Sequence, residues 1–154
     1  MLRSTIAAAL LAGTALAAQA QALPDRVKTA GKIIIATQPN YPPIAFKDVA
    51  TNQLSGFDIE LGEAIAKELG VKVEWQETAF AQMLPSLQTG RVDAVMAGMS
   101  DLPARRETAD FIDYMDSGAQ FYTVTAFKDT IKTPEDLCGK SVGASRSTNW
   151  PRQI

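Results

Sequence analysis

The amino-acid sequence predicts an α/β fold with a largely parallel sheet. Three observations lead there. Apolar or β-branched runs stand at 32–37, 71–76 and 92–97. Stretches with helical periodicity separate them, at 58–69 and 80–87. Glycine or proline punctuates the pieces at Gly70, Gly90, Gly98 and Pro103. Strands that alternate with helices build parallel sheets covered by those helices.

The chain has 154 residues, and its first part is expected to be removed from the folded protein. Met1 and Arg3 make a short positive start. Ile6 to Ala18 is apolar, broken only by Thr14. The small-residue patterns Ala18-Gln19-Ala20 and Ala20-Gln21-Ala22 follow. That layout is a secretory signal peptide over 1–22, cleaved after Ala22 with Ala20 as the alternative. The apolar run is shorter than the ~20 residues of a bilayer span. A lipoprotein would need a cysteine at the cleavage point, and none stands there. Export to the periplasm is the expectation.

Lys32 to Thr37, with Ile33, Ile34 and Ile35 in succession, reads as a buried strand. Gln38 to Pro43 is a loop set by Pro39, Pro42 and Pro43. Ile44 to Phe57 holds short extended pieces around a turn at Thr51-Asn52. Asp58 is expected to cap a helix reaching about Leu69, with Leu61, Ile65 and Leu69 as its apolar line. Gly62 and Ala66 lie beside that line, Glu63 and Lys67 pair outward, and Gly70 stops the helix. Val71 to Gln76 is the next strand. Phe80, Met83, Leu84 and Leu87 stripe a second helix ending at Gly90, where Pro85 is tolerable only near the first turns. Val92 to Ala97 is a third strand. Gly98-Met99-Ser100 is the loop after it, and Pro103 suits the first position of a short helix. Gln120 to Phe127 is expected as a strand leaving this unit, Thr133 to Leu137 as a helical turn, and Ser141 to Ala144 as a strand.

Composition narrows the chemistry. The net charge is -2 with both signs interspersed, which leaves no electrostatic footprint for nucleic acid. There is no histidine and a single cysteine, so common zinc and copper sites and Ser-His or Cys-His nucleophile pairs are excluded. No cofactor and no metal are expected. Cys138 is read as a small buried side chain, or as half of a disulfide whose partner lies beyond Ile154.

In open α/β sheets ligands bind beyond the carboxyl ends of the strands. Three loops meet that condition: 38–43, 98–105 and 145–149. The middle one is the richest. Gly98 allows close approach of the backbone, Ser100 brings a hydroxyl and an N–H, and Arg105 brings a fork matched to a carboxylate. By spacing alone Arg105 reads better as a solvated helix charge, and Ser100 reads equally as a turn residue. Tyr41 and Phe80 are candidates for an apolar clamp or for plain core. Thr148 and Asn149 are placed at a helix start, where free N–H groups attract anions or are merely capped. Asp93, Asp101, Asp110 and Asp113 are not assigned as a catalytic pair, since acid-base work needs two groups with separated pKa values in one cleft.

These loops also carry a family likeness. Gly56-Phe57-Asp58-Ile59-Glu60-Leu61, with Ala64-Ile65-Ala66 and Leu69-Gly70, resembles the signature of bacterial extracellular solute-binding proteins of family 3, the polar amino-acid binders of ABC transporters. Tyr41-Pro42-Pro43-Ile44 is similar to that family's early ligand loop. Leu84-Pro85-Ser86-Leu87, Gly90, Asp93-Ala94 and Gly98-Met99-Ser100 continue the likeness in order. Leu137-x-Gly139-Lys140-x-Val142-Gly143 resembles the start of its second lobe.

The resemblance implies a type II periplasmic-binding-protein-like clamshell, its first lobe nearly complete and its second only begun. The implied layout is a signal peptide over 1–22, lobe 1 over 23–117, a hinge or crossover strand over 118–127 and the start of lobe 2 over 128–154. It implies capture of an amino acid or related small zwitterion for an inner-membrane ABC permease, by a protein that is monomeric when full length. Arg105 would grip the α-carboxylate with help from Ser100, the backbone at Gly98 would take the amine, and Tyr41 and Phe80 would sandwich the side chain. Thr148 would contribute from the second lobe. Gln38 stands at a position that is acidic in binders of basic amino acids, which argues against a cationic ligand. Three departures stand out: Leu102 replaces a Thr, with Asp101 as a substitute cap; Ser147 replaces a Gly; Tyr114-Met115 replaces a Pro-aromatic pair. The alternatives are a dehydratase-like cleft enzyme of the same fold and a ligand-sensing ectodomain.

Overall fold

Lys32–Thr37 forms β1, the middle strand of a three-stranded parallel sheet in a computed structural model that describes residues 23–118, 120, 122–145 and 147–152. The expected signal segment, 1–22, lies outside the described residues. A short helix, α1 (Asp25–Ala30), precedes the strand and buries Val27. No expectation covered it.

After β1 the chain makes a small antiparallel sheet of β2 (Asn40–Tyr41), β3 (Ala45–Lys47) and β4 (Leu54–Ser55), in that order. The turn between β3 and β4 is held by the Asp48 carboxylate, which accepts from the Ala50 and Thr51 amides and the Thr51 hydroxyl. Helix α2 (Phe57–Glu68) follows, then β5 (Lys72–Glu77), helix α3 (Phe80–Gln88), β6 (Ala94–Val95) and the single turn α4 (Pro103–Arg106). The sheet order is β5-β1-β6, with Lys32 opposite Lys72 at one end, Thr37 opposite Glu77 at the other, and Ile35 opposite Ala94. β6 is shorter than the expected 92–97, yet Asp93 N–H to Ile34 O (2.8 Å) and Met96 N–H to Ala36 O (2.9 Å) continue the pairing on both sides.

Helix α2 departs from expectation in two ways. Its N-cap is Gly56, and Asp58 does not cap it. The helix starts against the preceding hairpin, whose carbonyls at Pro43 and Ile44 accept from the Phe57 and Asp58 amides at 3.1 and 2.9 Å. Those carbonyls satisfy donors that a side chain would otherwise cap. Gly56 is required there: at φ 118° a Cβ would stand 2.6 Å from the Ile44 oxygen. The buried face is also rotated. Asp58, Ile59, Gly62 and Ala66 are buried, while Ile65 and Leu69 are exposed. Successive helical residues are 100° apart, so the neighbouring line of small residues can take the contact instead. A Cβ on Gly62 would stand 2.6 Å from the Trp75 ring, and the helix seats on that ring because none is there.

On the other face, α3 buries Met83 completely, together with Ala36 and Val92, and Ile34, Phe80, Leu87 and Met99 pack around them. Burying one such side chain contributes ~1.5–3 kcal/mol. Pro85 lies past the first turn of α3, later than expected, and leaves one carbonyl without its helical donor. The helix is only nine residues long, and the Thr89 hydroxyl donates back to Pro85 O at 2.9 Å, closing its end.

Beyond α4 the expected strands at 120–127 and 141–144 are not formed among the described residues. Thr125–Phe127 is a 3-10 turn, and Tyr122 and Val124 are exposed. A strand needs a hydrogen-bonded neighbour, and here none is paired with these segments. The helical turn expected at 133–137 is present as the 3-10 turn Pro134–Leu137, with Thr133 and Asp136 in a reciprocal capping box. Cys138 is exposed, so the expectation of a buried thiol is corrected. It follows the capped turn and packs into no apolar cluster of buried residues.

Candidate functional site

Past the tips of β1 and β6 lie the segments 38–43 and 98–105, the latter running into α4, and Ser147 and Asn149 return to the second of them. Arg105 sits on α4, whose first position is Pro103 as the sequence predicts. Its guanidinium donates to Ser100 O (2.7 Å) and Ser147 O (3.0 Å). It also lies 5.6 Å from the centroid of the Phe80 ring. A cation over an aromatic face gains ~0.5–2 kcal/mol, more as water is excluded. Arg105 is half-buried, and burial lowers its pKa from the ordinary arginine value. Among the described residues no carboxylate pairs with it; both of its acceptors are neutral carbonyls. The arrangement is a fixed fork of N–H donors with unneutralised charge at the strand tips, suited to a small acid group.

Ser100 and Asn149 meet through their side chains, hydroxyl to amide oxygen at 3.3 Å. Phe80, Ser100, Arg105 and Asn149 therefore form one cluster. Tyr41 and Gly98 form a second. The Tyr41 ring carbon stands 3.1 Å from where a Gly98 Cβ would be, and Gly98 has φ 56°. The Tyr41 hydroxyl lies 3.3 Å from the Ser117 hydroxyl. Gln38 joins the first cluster indirectly, since its side-chain oxygen accepts from the Phe80 N–H at 2.7 Å and fixes the start of α3.

Two expectations are corrected. Thr148 does not open a helix: the turn that follows is the three-residue 3-10 stretch Trp150–Arg152, and the Thr148 hydroxyl donates to Ser145 O at 2.8 Å within its own loop. Asp101 does not cap α4. It pairs with Arg106, whose Nε donates to it at 2.7 Å, and that charge holds its carboxyl below the usual range. Asp93 is tied into the scaffold by Arg26 and by the Ile34 N–H (2.9 Å).

Sequence reasoning missed three participants. Ser147 offers its carbonyl to Arg105 from a left-handed backbone (φ 66°), uncommon for a residue with a side chain. Ser117 carries no motif. Asp58, read as a cap, is fully buried and accepts from the Tyr114 hydroxyl at 2.9 Å.

Comparison with known proteins bears on this geometry. The family model described as bacterial extracellular solute-binding proteins, family 3, matches residues 33–136. The L-cystine-binding protein TcyJ of Escherichia coli is 34% identical over 157 aligned positions, covering 99% of this chain and 59% of that protein. Among solved structures, the ancestral amino acid-binding protein AncCDT-1, a precursor of cyclohexadienyl dehydratase, superposes with a TM-score of 0.70 at 43% identity, covering 73% of this chain and 50% of that one. The arginine-bound form of domain 1 from TmArgBP gives a TM-score of 0.53 at 29% identity, covering 55% of this chain and 67% of that one. The chain spans about half the length of the curated relatives it matches.

Proposed function

Because the chain belongs to the bacterial extracellular solute-binding proteins, family 3, with the type II periplasmic-binding-protein α/β fold, we propose that it captures an amino acid or related small zwitterion for an ABC importer. One observation carries the reading. A half-buried guanidinium stands at the tips of a parallel sheet, against an aromatic face, with no carboxylate partner among the described residues. A ligand α-carboxylate is the anion of matching size and shape.

In this reading Arg105 grips the carboxylate beside Ser100, and the backbone near Gly98 meets the amine. Tyr41 and Phe80 flank the side chain, and Gln38 acts by holding the start of α3. Asn149 and the 145–149 loop approach from the second lobe, with Thr148 ordering that loop. The protein works in the periplasm after loss of residues 1–22, as a monomer that hands its ligand to an inner-membrane permease. Binding without turnover is the expected activity.

Calorimetry against a panel of amino acids tests this. Binding of at least one amino acid with no product formed is the expected result. Dehydration of a ligand to a new product would favour the enzyme reading. A charge-assisted hydrogen bond contributes ~1.5–3 kcal/mol, so Arg105→Ala should weaken binding about 10- to 100-fold. Unchanged affinity in that variant would remove the site assignment.

A further inference from the structure

A buried side chain on α2 is linked to the cleft through Tyr114. Asp58 stands in the first turn of α2 with no exposed surface. One carboxylate oxygen accepts from the Tyr114 hydroxyl at 2.9 Å, and the other has no partner among the described residues. The Tyr114 ring lies 6.1 Å from Phe57, the neighbour of Asp58. Three residues on, Ser117 reaches the Tyr41 hydroxyl at 3.3 Å. Tyr41 rests against Gly98. The contacts thus run in a chain from Asp58 to Tyr114, along the 114–117 segment to Tyr41, and from Tyr41 to Gly98. The helix that carries Asp58 is itself seated on the Pro43 and Ile44 carbonyls, next to Tyr41.

We propose that Asp58 is a positioning residue of the ligand cleft, a buried carboxylate on α2 that sets where the Gly98–Ser100 loop and the Tyr41 ring stand. It touches no ligand and acts through Tyr114 and the segment that follows it. A carboxylate without exposure is costly, and an apolar residue would fill the same space at less cost. What an apolar residue cannot do is accept a hydrogen bond from a hydroxyl on another segment. Burial pushes both the Asp58 carboxyl and the Tyr114 phenol above their ordinary values. The role as a cleft wall rests on the transport reading above; the anchoring itself does not.

Amide hydrogen exchange on the 154-residue chain without ligand tests the anchor. In Asp58→Ala the Gly98, Met99 and Ser100 amides should exchange about tenfold faster relative to the Ile35 and Ala36 amides of β1, a local opening with the core intact. Tyr114→Phe should move them in the same direction. Asp58→Asn keeps an oxygen to accept from Tyr114 and should restore most of the protection. Phenol absorbance gives a second readout: one tyrosine should ionise at lower pH in Asp58→Ala than in the parent. If Asp58→Ala fails to fold, Tyr114→Phe and Asp58→Asn still decide the matter. Unchanged loop exchange in Tyr114→Phe, or loop exchange that rises only in step with the core, would overturn the proposal. A chain that shows the anchor but binds no amino acid would sink the transport reading alone.

Discussion

Asp58 has a second consequence at the scale of a single residue. Burial raises its carboxyl pKa, and the bond from Tyr114 only partly offsets that. A group whose folded pKa is raised favours the folded state below its unfolded pKa, and that contribution is lost as pH rises through the folded value. The parent should therefore gain stability relative to Asp58→Asn as pH falls toward the ordinary aspartate range and below. Urea midpoints of the two proteins across pH 3–7 measure this; parallel curves would contradict it. Arg105 teaches a different lesson. Its place on the short helix that Pro103 opens is legible in the sequence, but its partners are not. Carbonyls contacted across 42 positions, as with Ser147, leave no trace in spacing.

At the scale of elements, Gly62 decides how α2 meets the sheet. Adding one methyl there places carbon 2.6 Å from the Trp75 ring, inside any real contact. Overpacking of this kind costs ~1–3 kcal/mol. Gly62→Ala should lower the urea midpoint accordingly and shift Trp75 emission, whereas Ala64→Gly on the exposed face should cost only the ~1 kcal/mol of helix propensity. A neutral Gly62→Ala would mean that the helix is free to lift. Helices α2 and α3 and the three parallel strands were legible from their apolar patterns, because a core-facing strand and an amphipathic helix each impose a repeat; the six-residue α1 was not. The rotated face of α2 was not, because hydrophobicity favours Leu61, Ile65 and Leu69 while close packing favours the smaller Gly62 and Ala66. The strand expectations at 120–127 and 141–144 failed for a related reason. Residue preference gives a strand its side chains, but only a neighbouring strand gives it hydrogen bonds.

For the whole molecule, the apolar surface is unevenly distributed. Ile65 and Leu69 are exposed on α2, and Ile112, Tyr122, Val124 and Phe127 are exposed along the segment after α4. Contiguous apolar surface on a soluble chain drives association. Light scattering with size exclusion should show the 154-residue chain associating as its concentration rises; a monodisperse monomer throughout the range would contradict this. The family match over 33–136 contains the motifs read in the sequence at 41–44, 56–70 and 84–100, while the one at 137–143 lies past its end.

The Ser147 carbonyl already occupies one arm of the Arg105 fork. An acid that takes that arm arrives by substitution, trading a neutral placeholder for a charged guest. Under the function proposed above, such an exchange frees Ser147, and Trp150 stands three positions further along. Its emission should then change when an acid ligand is added, without any label.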